Sequence, residues 1–352
     1  MPANERKSKG HPLGLHRVLD KEPKLPQAAS RLDNSLPIYS NEILINVDHL
    51  NIDAASFVQM EKEGKGVPHF ISNRVMNNTK EFGKQHNQAT GSGGMLTGTV
   101  VQIGSQYRGN LKLKKGDRIA TLVSLTLTPL TLEKILEVDA GTHQVRVEGS
   151  AILFEHSLAT LLPKNIPEKI AMAALDVAGA PATVNAICKT GMTVVIIGAG
   201  GKAGMLSCVA AKKKVGARGK VIGIEPFEKA RADLKKLGVC HEILSVDATH
   251  PIAVLQAVEK ASKGKLADVV VNVASVPNTE MGSVLSAKMN GTVLFFSMAT
   301  SFSRVALGAE GIVSSAKLLF GNGYFPNHDR FALNLLRQNP RLLEVFEQRY
   351  SC

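Results

Sequence analysis

Short apolar runs alternate with amphipathic stretches across the second half of the chain. The runs are continuous and rich in β-branched residues, as in strands that are buried on both faces of a parallel sheet. The intervening stretches have helical spacing, and some of them end at glycine. Strands are predicted at 192–198, 220–225, 241–246, 267–273 and 292–297, and helices at 205–214, 227–237, 251–262 and 278–289. This alternation predicts an α/β fold with a doubly wound parallel sheet.

The first half of the chain has shorter runs that are separated by turn residues. Extended segments are predicted at 42–47, 98–104, 115–120, 145–147 and 151–154, with glycine, asparagine and aspartate between them. This spacing is typical of a β-rich domain with Greek-key or barrel character. Two helical stretches, 328–338 and 340–349, follow the α/β half, and Pro340 begins the second.

Length, cysteine content and charge narrow the class of protein. At 352 residues the chain is long enough for two domains. It has no apolar run of about 18 residues, and its basic N-terminus has no apolar segment behind it. Its four cysteines form no C-x-x-C pair, so we expect a cytoplasmic protein without a membrane partner. The net charge of +12 is spread out and the chain lacks tryptophan, so no nucleic-acid partner is expected.

A glycine-rich turn lies between the strand at 192–198 and the next helix. In this context one glycine permits a tight turn, another lets backbone N–H groups approach a pyrophosphate, and a small residue allows close packing. Gly198, Gly200 and Ala203 fit the spacing G-x-G-x-x-A, whereas Gly198, Gly201 and Gly204 fit a looser one. We prefer the first, with Gly201 and Gly204 helping the packing. The turn predicts a dinucleotide site formed by Gly198, Gly200, Gly201, Lys202 and Ala203.

Glu225 ends the second predicted strand, where a carboxylate can bind both hydroxyls of the adenosine ribose. It would repel a 2′-phosphate, so NAD is expected and NADP is disfavoured. Lys229 and Arg231 nearby leave room for some NADP use. The ends of the later strands should also line the cofactor crevice, which adds Val246, Asp247, Ala274, Ser275 and Met298.

The two halves together resemble the medium-chain dehydrogenase/reductase superfamily. The resemblance lies in the segments 42–47, 98–104, 113–119, 161–167 and 177–183. It implies a GroES-like β-rich catalytic domain at 1–165, joined by the helices within 318–352, and a Rossmann NAD-binding domain at 166–317. The active site would lie between them.

Residues at the positions of the superfamily's zinc ligands differ from those ligands. Here they are approximately Asp53, the segment 93–95 and Val177, and the four-cysteine zinc lobe is absent. No tetrahedral set of nitrogen and sulfur ligands remains, so no zinc is expected.

Four residues are candidates for catalysis. Asp53 and Asp176 lie at or beside the former zinc-ligand positions, where a carboxylate could hold a cationic amine; equally, Asp53 could cap a helix and Asp176 could bond at a helix end. His156 follows a strand and could transfer protons, although a surface histidine beside a loop is the more common case. Arg17 could bind a substrate carboxylate through two hydrogen bonds, although an arginine in an early strand is more often a surface residue.

A closer resemblance covers nearly the whole chain. The segments 15–19, 25–27, 31–34 and 320–328 resemble a zinc-independent family of amino-acid dehydrogenases of lysine fermentation. This implies NAD-dependent oxidative deamination of a small diamino acid by a homodimer or homotetramer. The alternatives are a zinc-independent NAD(P)H quinone or enoyl reductase of the same superfamily, or a dinucleotide-binding protein without catalytic activity.

Overall fold

The computed structural model describes residues 5–87, 91–122, 124–321 and 323–351. These residues divide into two compact units, one up to Met172 and one from Ala173 to Ser351. Each unit contains one six-stranded sheet within the described ranges. The first sheet is antiparallel and the second is parallel, which confirms the predicted fold class.

The first unit is built on an antiparallel sheet with the strand order β4-β5-β1-β2-β3-β6. Its core consists of alternate strand residues such as Ile43, Ile45 and Val47, which pack with Phe57 and Val75 from two helices. The elements are β1 (Ile43–Asn51), α1 (Ala54–Glu63), α2 (Pro68–Phe82), β2 (Met95–Ile103), β3 (Arg118–Thr121), β4 (Leu130–Asp139), β5 (Gln144–Leu153), β6 (Ala159–Leu161) and α3 (Glu168–Leu175), the last of which crosses into the second unit.

The second unit contains the predicted doubly wound sheet, with the strand order β12-β11-β10-β7-β8-β9. Its central strands are completely buried apolar runs, as their sequences predict. The elements are α4 (Gly179–Ile187), β7 (Thr193–Ile197), α5 (Lys202–Val215), β8 (Lys220–Ile224), α6 (Glu228–Leu237), β9 (Glu242–Leu244), α7 (Pro251–Ser262), β10 (Ala267–Asn272), α8 (Glu280–Leu285), β11 (Ala287–Phe295), α9 (Phe302–Gly311), β12 (Lys317–Phe320), α10 (His328–Gln338) and α11 (Pro340–Tyr350).

The predicted helix at 278–289 is wrong in its second half. The helix α8 ends at Leu285, and β11 begins two residues later because Ala287 pairs with Ala267 of β10. Asn290 has φ +58° and lies with Gly291 at an irregularity in the strand pairing. Asparagine tolerates this left-handed conformation well, so Asn290 and Gly291 form a bulge in a strand, whereas the sequence had predicted a helix end.

The last two helices belong to the second unit, although they were predicted to join the first domain. The helix α10 packs on α4 and α5, and α11 packs on α6 and α5. Their apolar residues Leu335, Leu336, Leu342 and Phe346 are buried. The helix α5 is therefore surrounded by other helices as well as by the sheet, and most of its residues are buried.

No single helix in the described ranges is long and apolar enough to cross a membrane. The helices α3 and α4 meet that criterion only as a pair bent by 50°.

Candidate functional site

The glycine-rich turn after β7 depends on close backbone contacts. Gly198 has φ +79°, and a Cβ atom there would lie 2.9 Å from the Cα atom of Ala274. At Gly204 a Cβ atom would lie 2.2 Å from the carbonyl oxygen of Gly198. Gly204 therefore allows the first turn of α5 to pack against the strand end.

The N-terminus of α5 has the features of an anion site. Its N-cap residue is Gly201, which has no side chain to cap the helix, and its first turn contains no acidic residue. A Cβ atom added to Gly201 would meet only the carbonyl oxygen of Gly198, at 3.6 Å. Gly201 therefore leaves room beside the first turn of α5, whose N–H groups and helix dipole favour an anion such as a pyrophosphate. Gly201, Lys202 and Ala203 would hold it.

Glu225 lies immediately beside this turn. It is 5% exposed, and its carboxylate accepts hydrogen bonds from the N–H groups of Gly200 at 3.0 Å and Phe227 at 3.1 Å. A Cβ atom on Gly200 would lie 2.7 Å from Oε2 of Glu225. A glycine at position 200 thus lets the carboxylate reach the turn, where the ribose of a dinucleotide binds in doubly wound folds. The nearby Arg231 donates to the carbonyl oxygens of Glu225 and Pro226.

Arg349 of α11 contacts the same turn and was not among the predicted site residues. Its Nη1 donates to the carbonyl oxygen of Gly200 at 2.6 Å, and its Nε and Nη2 donate to Oδ2 of Asp233 at 2.8 and 2.6 Å. The three residues are far apart in sequence, and an arginine in the last turn of a helix is common. No local signal could have found this contact.

Asp176 and Lys202, predicted for separate reasons, form an ion pair. The Lys202 Nζ atom lies 2.5 Å from Oδ2 of Asp176, and both side chains are partly exposed. Lys202 is the first residue of α5, so this pair lies next to the proposed pyrophosphate site. It provides a proton-carrying group and a carboxylate at one place.

Asp53 is both a helix cap and a group with unused hydrogen-bonding capacity. Its Oδ1 accepts a hydrogen bond from the N–H of Ser56 at 3.0 Å, which caps α1. Its Oδ2 is buried and has no hydrogen-bond partner among the described residues. The cap was one of the two predicted roles, and the second oxygen leaves the other open. Burying an unpaired carboxylate oxygen is costly, which is often a sign of a functional group.

Arg17 has a structural role, unlike the predicted substrate clamp. Its side chain is completely buried, and it donates to Oε1 and Oε2 of Glu42 at 2.9 and 2.6 Å. It also donates to the carbonyl oxygens of Asp33 and Ser35. Burial alone would raise the pKa of Glu42, but hydrogen bonds from His16 and Arg17 and the charge of Arg17 lower it to about 2. The guanidinium is thus held among protein groups.

The other predicted residues lie at the expected strand ends without a distinctive partner. His156 is exposed on the loop after β5, and Asp247 accepts hydrogen bonds from Thr249. The remaining strand-end residues are Val246, Ala274, Ser275 and Met298, of which the last is 68% exposed. These positions follow β9, β10 and β11, whose carboxyl ends share one sheet edge.

Metal-ligating residues do not cluster in the described parts of the chain. No group of three or more His, Cys, Asp or Glu side chains in these ranges could hold a metal ion. Asp53 bonds to the backbone of α1, and Asp176 bonds to Lys202.

The fold and the glycine-rich turn with Glu225 define the class of protein. The fold is similar to that of a quinone oxidoreductase from Pseudomonas syringae pv. Tomato DC3000, with a TM-score of 0.55 and 20% identity over 87% of this chain and 81% of that one. The chain therefore has the fold of medium-chain dehydrogenases/reductases, as its segments predicted.

Sequence comparison is more specific. Residues 16–163 match the family model of the L-erythro-3,5-diaminohexanoate dehydrogenase N-terminal domain. L-erythro-3,5-diaminohexanoate dehydrogenases of Acetoanaerobium sticklandii and Fusobacterium nucleatum are 44% and 46% identical over 342 residues, or 97% of this chain and 99% of each relative. The chain belongs to the L-erythro-3,5-diaminohexanoate dehydrogenase family. The closer resemblance of its terminal segments is thus confirmed.

Proposed function

We propose that this protein oxidatively deaminates L-erythro-3,5-diaminohexanoate with NAD. The observation that carries the proposal is the identity of 44–46% to two dehydrogenases of that name over almost their full length. With one water consumed, the products are 5-amino-3-oxohexanoate, ammonium, NADH and a proton. Neither rival, a quinone or enoyl reductase or a dinucleotide-binding protein without activity, has such relatives in its support.

The chemistry divides between the cofactor and the chain. When bound, NAD would be held by Gly201, Lys202 and Ala203 and would supply the acceptor for a hydride from C3 of the substrate. The 3-ammonium must first lose a proton, because only the free amine can supply electrons for the resulting imine. Water then adds to C3, and cleavage of the C3–N bond releases ammonium. The chain must therefore hold a cationic amine, accept a proton and return one to the leaving nitrogen.

Asp53 and the pair of Asp176 and Lys202 fit two different parts of this chemistry. The partnerless Oδ2 of Asp53 is suited to hold the 3-ammonium and to accept its proton. The pair of Asp176 and Lys202 lies at the start of α5, next to the proposed pyrophosphate site. We assign the role of general base to Asp53, and we assign the positioning of the cofactor's pyrophosphate to Asp176 and Lys202. Asp53→Asn should lower kcat more than it raises KM, and Lys202→Met should mainly raise the KM for the cofactor.

NAD is proposed as the cofactor because a carboxylate lies where the ribose would bind. The position of Glu225 on the turn supports this choice over NADP, whose 2′-phosphate it would repel. Glu225→Gln should lower kcat/KM for NAD about 10- to 100-fold, as expected for the loss of charged hydrogen bonds. It should also reduce the preference for NAD over NADP. Glu228→Gln, an exposed change of the same kind three residues further along the chain, is the control. An unchanged cofactor preference in Glu225→Gln would contradict the assignment.

The activity itself is tested by following NADH absorbance after purified protein is mixed with NAD and L-erythro-3,5-diaminohexanoate in the presence of EDTA. Formation of NADH that tracks ammonium release and persists with the chelator supports the proposed reaction without a dissociable metal. A protein that instead oxidises NADPH with a quinone, and ignores the diamino acid, would favour the reductase alternative.

A cytoplasmic homodimer or homotetramer remains part of this proposal. Light scattering on the purified protein, together with fractionation of the source cells, tests both points.

A further inference from the structure

A small cavity lies in the first unit, between α1, α2 and the segment that follows α2. Its volume is about 200 Å³, below that of sites for drug-sized ligands and suited to a small acyclic metabolite. The lining side chains are almost all polar: Ser56, Gln59, Met60, Glu63, Arg74, Asn78, Gln85, His86 and Asn87. Empty cavities in proteins are usually apolar, so a polar cavity of this size is expected to hold water or a polar ligand.

Two opposite charges line this cavity. Arg74 is exposed, and in the described ranges it donates no hydrogen bond and forms no ion pair. Glu63 accepts one hydrogen bond, from Nε2 of Gln59 to Oε1 at 2.9 Å, and this leaves its other oxygen for a ligand. A guanidinium can bind a carboxylate through two hydrogen bonds, and a carboxylate can accept from an ammonium.

The wall of the cavity is held in place by buried amides. Asn78 and Gln85 are 9% and 2% exposed, and Nδ2 of Asn78 donates to Oε1 of Gln85 and to the carbonyl oxygen of His86. The Nδ1 atom of His86 is buried without a hydrogen-bond partner among the described residues. Burial, together with the charge of Lys84, lowers the pKa of His86, so its neutral ring can serve as a hydrogen-bonding group for a ligand.

The cavity lies close to the proposed general base. Ser56 lines it, and the N–H of the same residue caps Oδ1 of Asp53. The side chains of α1 that line the cavity, Ser56, Gln59, Met60 and Glu63, follow the spacing of one helix face, which leads from Asp53 along the helix.

We propose that this cavity binds the two charged arms of the substrate, with Arg74 on the carboxylate and Glu63 on the 5-ammonium. This inference rests on the proposed function. In 3,5-diaminohexanoate the carboxylate carbon and C5 are equally far along the chain from the reacting C3. A folded substrate therefore presents a negative and a positive group close together, and a site for it needs one cation and one anion lining the same cavity, as Arg74 of α2 and Glu63 of α1 do here. The amine on C3 then lies toward Asp53.

The test uses Arg74→Gln and Glu63→Gln with three ligands. The first ligand is L-erythro-3,5-diaminohexanoate, the second is 3-aminohexanoate, which lacks the 5-ammonium, and the third is pentane-2,4-diamine, which lacks the carboxylate. Glu63→Gln should lower kcat/KM for the diamino acid about 10- to 100-fold and leave that for 3-aminohexanoate unchanged. Arg74→Gln should lower kcat/KM for the diamino acid to the same extent, but should leave kcat/KM for pentane-2,4-diamine unchanged. Lys80→Gln and Glu81→Gln, exposed changes on α2, are the matched controls.

Titration calorimetry of the same proteins separates this inference from the proposed function. Loss of diamino-acid binding in the two variants supports the cavity even if no NADH forms, in which case only the proposed function fails. If the wild type turns over the diamino acid and both variants bind it normally, only the proposed role of the cavity is overturned. Equal losses on all ligands also overturn it, because they would reveal a general structural effect. A wild type that binds no diamino acid overturns both.

Discussion

Arg349→Met removes the contact between the last helix and the glycine-rich turn. The substitution keeps an apolar stem but deletes two hydrogen bonds to Asp233 and one to the carbonyl oxygen of Gly200. The side chains of Arg349 and Asp233 are only 20% and 10% exposed, so solvent cannot fully replace these bonds. A charged hydrogen bond contributes about 1.5–3 kcal/mol when its removal leaves a buried partner. We expect the free energy of unfolding to fall by about 2–3 kcal/mol.

The same substitution should weaken cofactor binding, because no arginine then holds the Gly200 carbonyl and with it the turn. A loss of about 1.4 kcal/mol in preorganisation corresponds to a tenfold rise in the Kd for NAD. Calorimetry gives the Kd, and guanidinium unfolding gives the stability. Arg349→Lys should recover part of the stability through Asp233 but little of the affinity, since one ammonium replaces the forked guanidinium. Arg337→Met, an exposed change on α10, is the control. A destabilised Arg349→Met with unchanged affinity for NAD would refute the proposed coupling.

Two further predictions concern packing and pH. Gly204→Ala should cost about 3 kcal/mol of stability, because its Cβ atom would lie 2.2 Å from the backbone oxygen of Gly198; Gly201→Ala, with its nearest atom at 3.6 Å, should cost far less. Equal unfolding midpoints for the two variants would exclude this reason. Lys84 is fully buried, and burial lowers its pKa to about 8, so the folded state loses this proton before the unfolded state, whose pKa is near 10.5. Below pH 8 the folded state bears the full free-energy cost of the buried charge. Between about pH 8 and 10.5 the free energy of unfolding therefore rises with pH, by up to about 3 kcal/mol, because the folded state no longer buries the charge. Burial raises the pKa of Cys188 to about 12, which opposes this trend above pH 9, so the measured quantity is the difference between wild type and Lys84→Met in urea titrations. A difference that stays constant across this pH range would contradict the argument.

The cofactor half could be predicted from the sequence because its signals are local. A strand buried on both faces needs a continuous apolar run, and Thr193–Ile197 and Lys220–Ile224 show it. The tight turn needs glycine, and the chain has it directly after β7. The capping role of Asp53 was also readable, since an aspartate immediately before a helix is a common N-cap.

The remaining features depend on contacts that no local pattern records. Asn290 and Gly291 can end a helix or form a bulge, and pairing of Ala287 with Ala267 decided the outcome. Asp176 meets Lys202 only through the tertiary fold. Arg17 reads as a surface residue or a ligand clamp until Glu42 is placed beside it.

The contact of Arg349 with Gly200 also bears on how the protein is made. Domains generally begin to fold while the ribosome is still adding residues. The residues of the glycine-rich turn have all been translated once Gly204 is added. The arginine that binds the Gly200 carbonyl and the helices that pack on the outer side of α5 come later, from α10 and α11. The nascent cofactor-binding unit must therefore expose the apolar outer surface of α5 until these helices leave the exit tunnel. Until α10 and α11 are translated, this unit therefore lacks both the cover of α5 and the contact that holds the Gly200 carbonyl, although its sheet can already form.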